Sequence, residues 1–439
     1  MDDINHKHER IVVGVPRPAG MDLPGPARRA DAAPPATLAL LLCCAAVPVI
    51  GIVAILPALP DLIPLLGSAS NVVTPAQLVT GIPLLAMTLT APLAGQIIDR
   101  IGRRNVLPGA LILSAAAGVT PMLRGSAALL LVSRAVVGVA GAAILVTSIA
   151  LICDHYTGRR RYSCFGLFAL VAMIAGVIFS ALSGRLSEVD HRAPFWLCGL
   201  PVLLSMFTTN LQAIAGPRRR RIRRFSPLPL RLISCLVLTI FCGAVFYTPV
   251  AAIGYVLGNH GLGSAGMLGV IAAINSVAAA IGTLVFHDVS AARISSRLIA
   301  GYACSAAGIA IVAFLGLGAT AASGALAEAG LTIAAVGSGL LIPTMLAWSM
   351  NELQDDQYGR GAAWWTSSYF FGEFVAAMLV PTGSSESEGL FWRIFIVAVS
   401  CAVATILSAA VALRTRNATS RERARMATGG ATRHQWVSG

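Results

Sequence analysis

Gly95-Gln96-Ile97-Ile98-Asp99-Arg100-Ile101-Gly102-Arg103-Arg104 separates two long apolar runs, 75–97 and 105–123. A gap this short is what a chain uses to turn at a membrane surface, and glycine permits the tight turn. Arginines beside apolar spans anchor a loop on the cytoplasmic face. Anchoring accounts for the arginines but not for Asp99, Gly95 or Gly102. Working outward, further apolar runs fall at 36–57, 127–152, 163–184 and 194–214, then at 229–257, 264–286, 297–317, 326–349, 361–381 and 390–413. Uncharged runs of about 18 residues or more are membrane-spanning helix candidates. In hydrocarbon the backbone must satisfy its own hydrogen bonds, which leaves helices or closed barrels. Barrel strands alternate over about ten residues, and these runs are longer and continuously apolar. The reading is an all-α integral membrane protein of twelve transmembrane helices in two six-helix halves.

Composition agrees. The chain of 439 residues is 56% hydrophobic and 12% charged, against about 25% charged for a soluble domain. The net charge of +13 invites a nucleic-acid reading, but its placement argues against one. Arginines fill alternate gaps: Arg100, Arg103 and Arg104; Arg159 to Arg161; the cluster at 218–224; Arg293 and Arg297; and Arg360. The opposite gaps hold few, so both termini are expected to be cytoplasmic and the chain multi-pass in the inner membrane. Residues 1–35 read as a disordered tail, 36–214 as the first bundle and 215–228 as a basic linker. Residues 229–413 read as the second bundle and 414–439 as a basic tail. The nine cysteines show no metal-ligand spacing and read as structural thiols.

The gap quoted first resembles the loop between helices 2 and 3 of the major facilitator superfamily, G-x-x-x-D-R-x-G-R-R/K. Gly95, Asp99, Arg100, Gly102, Arg103 and Arg104 fall on its positions. The resemblance implies two helical halves that rock about a central site, with this cluster latching the outward-open state. Helix 4, Arg134-AVV-Gly138-VA-Gly141, resembles the family's R-x-x-x-G-x-x-G, which implies an electrostatic role for Arg134 near a proton-binding acid or an anionic substrate. The other reading of Arg134 is an arginine snorkelling to the headgroups. In helix 5, family antiporters carry a Gly-Pro motif. Here Gly176 and Gly184 remain, while Ser180, Ala181 and Arg185 replace glycine, proline and glycine.

Helix 11 reads Trp364-Trp365-TSS-Tyr369-FF-Gly372-Glu373. Glu373 lies about a dozen residues into an apolar run, where an ionisable group marks a functional site by default. It is a candidate to take a proton from one side and release it on the other, or else a neutral acid bonded between helices. Trp365 and Tyr369 read either as a stacking surface for an organic solute or as core. Tyr247 and Asn275 read as cavity-lining or interhelical hydrogen-bonding groups. Gly138 and Gly141, with Gly337 and Gly339 in helix 10, are small residues at similar places in the two halves. Asp61 and Glu328, near the outer face, read as solvated helix ends or else as an outer gate.

No GxxxxGK[ST] loop or soluble ATPase-sized domain occurs, and no nucleophile–base or metal constellation forms among the scattered histidines. The expectation is therefore no enzyme activity and no cofactor. It is instead a monomeric secondary transporter in the lipid bilayer, moving a small organic solute and coupled to protons. Proton-coupled export is the leading reading and metabolite uptake its alternative. A membrane sensor built on a transporter scaffold is the reading from another class.

Overall fold

The computed structural model describes residues 34–53, 55–59, 74–123, 126–208, 230–259, 264–288, 294–315, 321–354, 357–380 and 391–410. The two tails and the basic linker lie outside these residues, as does Asp61. Twelve helical elements follow one another, and no strand occurs among the described residues. They are α1 (Pro35–Val53), α2 (Pro75–Ile101), α3 (Arg103–Leu123), α4 (Ala127–His155), α5 (Gly158–Val189) and α6 (Ala193–Phe207). The second set is α7 (Leu230–Asn259), α8 (Ala265–Asp288), α9 (Ile294–Leu315), α10 (Ala321–Asn351), α11 (Tyr358–Leu379) and α12 (Phe391–Ala410).

Ten of these are long and apolar enough to cross a membrane. The other two, α6 and α11, differ from that description for separate reasons. α6 is short and opens as a 3-10 turn over Ala193–Gly199. α11 has 22 residues but carries Thr366, Ser367, Ser368, Tyr369 and Glu373 along its length, so its mean hydropathy is low. α1 is also interrupted, at Cys44–Ala45. α2 starts cleanly: Thr74 accepts from the Gln77 amide while the Gln77 side chain accepts from the Thr74 amide. That reciprocal cap satisfies two donors a helix start otherwise leaves open.

Packing repeats. α1 lies on α5, α2 on α4 and α3 on α4; then α7 lies on α11, α8 on α10 and α9 on α10. Each pair recurs six helices later, the relation expected of parallel repeats in such transporters. Lipid tails are as apolar as leucine, so association rests on close packing at small residues. Gly138 of α4 sits against Pro83 of α2, and Gly339 of α10 against Ala279 of α8. These are equivalent crossings in the two sets, which gives a packing reason for the similarly placed glycines. The two sets meet along α2–α11 and α5–α8, with α4 also touching α11 and α5 touching α10.

Candidate functional site

α7 and α11 cross on glycine. A Cβ on Gly372 would strike the Ile240 carbonyl, and one on Gly243 would strike the Tyr369 carbonyl. This approach brings the backbone of α7 onto the turn that carries Glu373. The Glu373 side chain is 1% exposed. The Tyr369 hydroxyl lies at hydrogen-bonding range, and Cys242 and Tyr247 of α7 are within electrostatic reach. No arginine pairs with it among the described residues, and its Oε2 lacks a partner there. One turn further back, Trp365 stacks on Tyr369 with centroids 5.3 Å apart, and Phe246 of α7 tilts against Tyr369 at 6.2 Å. Trp365 Nε1 and Thr366 Oγ1 are buried without partners as well. Buried polar atoms are normally satisfied, so three atoms without partners among the described residues, all along one helix, single it out as the candidate site.

The seam beside this cluster is polar. Ser367 of α11 donates to the Thr88 carbonyl of α2 at 2.7 Å, and Gln77 donates to the Met378 carbonyl at 2.9 Å. Tyr247 reaches Thr80 of α2. Glu373, Tyr369, Trp365 and Tyr247 therefore form one group on α7 and α11, from which Tyr247 reaches the first set at Thr80.

Arg134 is elsewhere. It is 0% exposed, so it does not snorkel. Nη1 donates to the Gly51 carbonyl of α1 at 3.2 Å, the guanidinium lies 5.5 Å from the Phe195 ring centre, and Cys198 is adjacent. All these partners belong to α1, α4 and α6, away from Glu373. Asn275 occupies a third place, on α8 facing Glu328 and Thr332 of α10. The sequence grouped these residues into one pathway; the structure distributes them over three positions, because the rotation of each helix about its axis decides its neighbours. Glu328 corrects the sequence reading most: it is half-buried inside α10 and hydrogen-bonded, not a solvated end. Asn275 and Glu328 lie on different helices with no spacing in the chain that links them, so only packing could find this pair.

At the arginine-rich end the loop quoted at the outset folds into a compact cluster. Gly102 adopts φ 97°, a conformation glycine takes without the steric cost of a side chain. Gly95 of α2 lies against Ala363 and the Gly359 carbonyl of α11. A Cβ on Gly359 would lie 2.7 Å from Asp99 Oδ1, so the carboxylate sits on the first turn of α11, where the helix dipole favours an anion. Arg103 lies 3.8 Å from that carboxylate, ion-pairs with Asp154 of α4 and donates to the Ala150 carbonyl at 2.9 Å. Arg100 is exposed and Arg104 half-buried. A second bridge stands beside it: Arg161 of α5 donates to the Tyr358 hydroxyl at 2.6 Å and to Asn351 Oδ1 at 3.1 Å, over the Tyr358 ring at 5.0 Å. Sequence reading passed over Arg161 as one anchor among several. Its burial is the distinguishing feature, and composition does not reveal it.

Along α5–α8 the contacts are small and close. A Cβ on Gly176 would lie 2.7 Å from Ser276 Oγ, and one on Gly184 would lie 2.8 Å from the Ala265 carbonyl. Gly141 of α4 abuts Met87 of α2. All nine cysteines are free thiols.

Comparison with known proteins agrees with this architecture. The family model of the Major Facilitator Superfamily matches residues 41–377. The tetracycline resistance protein, class C, of Escherichia coli is 26% identical over 365 residues, spanning 78% of this chain and 89% of that one. The quinolone resistance protein NorA of Staphylococcus aureus is 22% identical over 170 residues, spanning 39% and 44%. Among solved structures, the human organic anion transporter MFSD10 superposes with TM-score 0.67 at 13% identity, covering 85% of this chain and 100% of its own. A bacterial homologue of the lysosomal transporter Spinster superposes with TM-score 0.62 at 17% identity, covering 85% and 95%.

Proposed function

The chain belongs to the Major Facilitator Superfamily, a family of membrane transporters rather than enzymes, and on that footing we propose that it exports a small organic solute in exchange for protons. The observation that carries this reading is Glu373: a carboxyl group sealed between α7 and α11, with no cation beside it among the described residues and an unpartnered oxygen. An unpaired charge in such a place is costly, so the group alternates between a proton and whatever displaces that proton. The aromatic group of Trp365, Tyr369 and Phe246 next to it offers an organic solute an apolar, stackable wall. Two relatives carry names of drug resistance, which supports export as the direction.

The arginine-rich end is placed in the cytoplasm by the positive-inside rule. In the proposed cycle, Asp99 on α11 and Arg161 on Tyr358 hold that end shut while the other opens. Arg134, tied to Gly51, fixes α1 against α4 within the first set and acts on the path through that geometry. Gly138, Gly141, Gly176 and Gly184 are the close crossings over which the helices shift. Uptake by symport is the second reading. It is favoured by Ala181 in an α5 that runs unbroken over Gly158–Val189, where family antiporters place a proline.

Replacing Glu373 by Gln tests the reading. In vesicles the variant is expected to lose gradient-driven accumulation at least tenfold, a barrier change of about 1.4 kcal/mol or more, while downhill exchange persists. Full gradient-driven accumulation by Glu373→Gln would remove the residue as proton carrier. Cysteines placed at Arg220 and Ser384 should label from opposite faces of the membrane; labelling from one face would overturn the orientation.

A further inference from the structure

The Glu328 cluster is the second place where hydrogen-bond accounting fails to close. Thr332 Oγ1 lies 3.5 Å from Glu328 Oε1 and 3.3 Å from Asn275 Oδ1. A hydroxyl carries one hydrogen, and an ionised carboxylate and an amide oxygen are both acceptors. With Glu328 ionised, Thr332 donates to the carboxylate and accepts from the Asn275 amide, whose nitrogen and oxygen exchange places by a flip. With Glu328 protonated, its O–H donates to Thr332 and Thr332 donates to the amide oxygen, so the same chain holds the acid in either state. Asn275 is 6% exposed and its Nδ2 has no partner among the described residues, nor has Glu328 Oε2.

From this geometry we propose that Glu328, Thr332 and Asn275 form a second proton-binding site, separate from Glu373. The proposal deepens the proton-coupled reading and rests on it for its role in transport, but not for the binding itself. Glu328 lies seven residues from the start of α10 and Glu373 six from the end of α11, which places each about 10 Å from the same end of the bundle. Glu373 is sealed, whereas Glu328 is half-buried. The site is also tied to movement between the halves: Ser276, next to Asn275, packs against Gly176 of α5. Shifting that seam moves Asn275 and with it the acceptor at the end of the chain.

Other titratable groups on the elements around α10 are engaged elsewhere. Cys304 of α9 donates to the Ile333 carbonyl. Arg185 and Glu188 of α5 lie 3.8 Å apart at the helix end, with Glu188 against Gly266 of α8. Cys242 and Tyr247 of α7 face Glu373. Arg161 of α5 and Arg297 of α9 sit at the arginine-rich end, on Tyr358 and Phe286.

Infrared difference spectra of the purified full chain in liposomes, taken across a pH jump with no solute present, read protonated carboxyls directly. The wild type is expected to show two components, with Glu328→Gln deleting one and Glu373→Gln the other. Thr332→Val, which keeps the acid, is expected to shift the frequency of the Glu328 component, so the idea stays testable if Glu328→Gln folds poorly. A wild-type spectrum retained by Glu328→Gln, or an unshifted one in Thr332→Val, overturns the second site and leaves the Glu373 reading standing. Loss of a component in Glu328→Gln but none in Glu373→Gln upholds the second site and removes Glu373 as the carrier.

Discussion

The two ends of the seam between the helix sets are held by different chemistry. At the arginine-rich end, Asp99 lies against the first turn of α11, Arg103 ties Asp99 to Asp154, and Arg161 reaches Tyr358 and Asn351. At the other end the hydrogen bonds across the seam are neutral, Gln77 to the carbonyls of Ala377 and Met378, beside glycine packing at Gly184 and Gly269, and a charged group there is Glu188 of α5, against Gly266 of α8. Charge-assisted hydrogen bonds are roughly twice as strong as neutral ones. On the proposed cycle the end with fewer charged contacts parts first, and the arginine-rich end is the proposed latch whose release finishes the cycle. Both acids proposed to bind protons lie nearer the neutral end, where opening brings them to solvent.

This asymmetry can be broken from either side. Arg161→Ala should have the largest effect, since it removes two hydrogen bonds, to Tyr358 and Asn351, and a cation–π contact to Tyr358. About 3 kcal/mol is at stake, or roughly a hundredfold rise in maleimide modification of Cys153, which is buried at this end. An unchanged labelling rate would mean that Arg161 is an anchor only. Asp99→Asn keeps the shape but removes the charge from the α11 terminus, at about 1 kcal/mol. It should slow transport several-fold in folded protein, and wild-type turnover would sink the latch. Gln77→Leu should have the smallest effect and the opposite sign. Losing about 1 kcal/mol at the neutral end biases the protein toward opening there and lowers Cys153 labelling slightly. Increased labelling would show that the two ends do not oppose each other.

How much of this was legible in the chain follows from what a membrane demands. Spanning helices must be long and apolar, so the spans could be read and the helices lie where the runs are. The Gly95–Arg104 loop was legible because its residues are contiguous and its glycines have local causes. The Glu373–Tyr369–Trp365 group was legible because one helix carries all three at spacings of four. What the chain hides is rotation and depth. Arg134 and Glu373 look alike as charges in apolar runs, yet one faces α1 and the other α7. Asn275 and Glu328 are 53 residues apart and become a pair only where α8 crosses α10. α11 shows the converse: its polar residues lower its hydropathy because they face other helices, so a measure built on lipid exposure undervalues the helix nearest the site.

The most direct test of proton-coupled export is pH inside proteoliposomes, followed with a trapped dye while a preloaded solute leaves. Organic cations, anions and neutral metabolites are loaded in turn. The account predicts that for a transported solute the lumen acidifies as the solute exits, because protons enter in exchange, and that Glu373→Gln abolishes the change. Alkalinisation on exit would mean symport and reverse the proposed direction of coupling. Solute exit with no pH change would contradict proton coupling and leave Glu373 a structural residue.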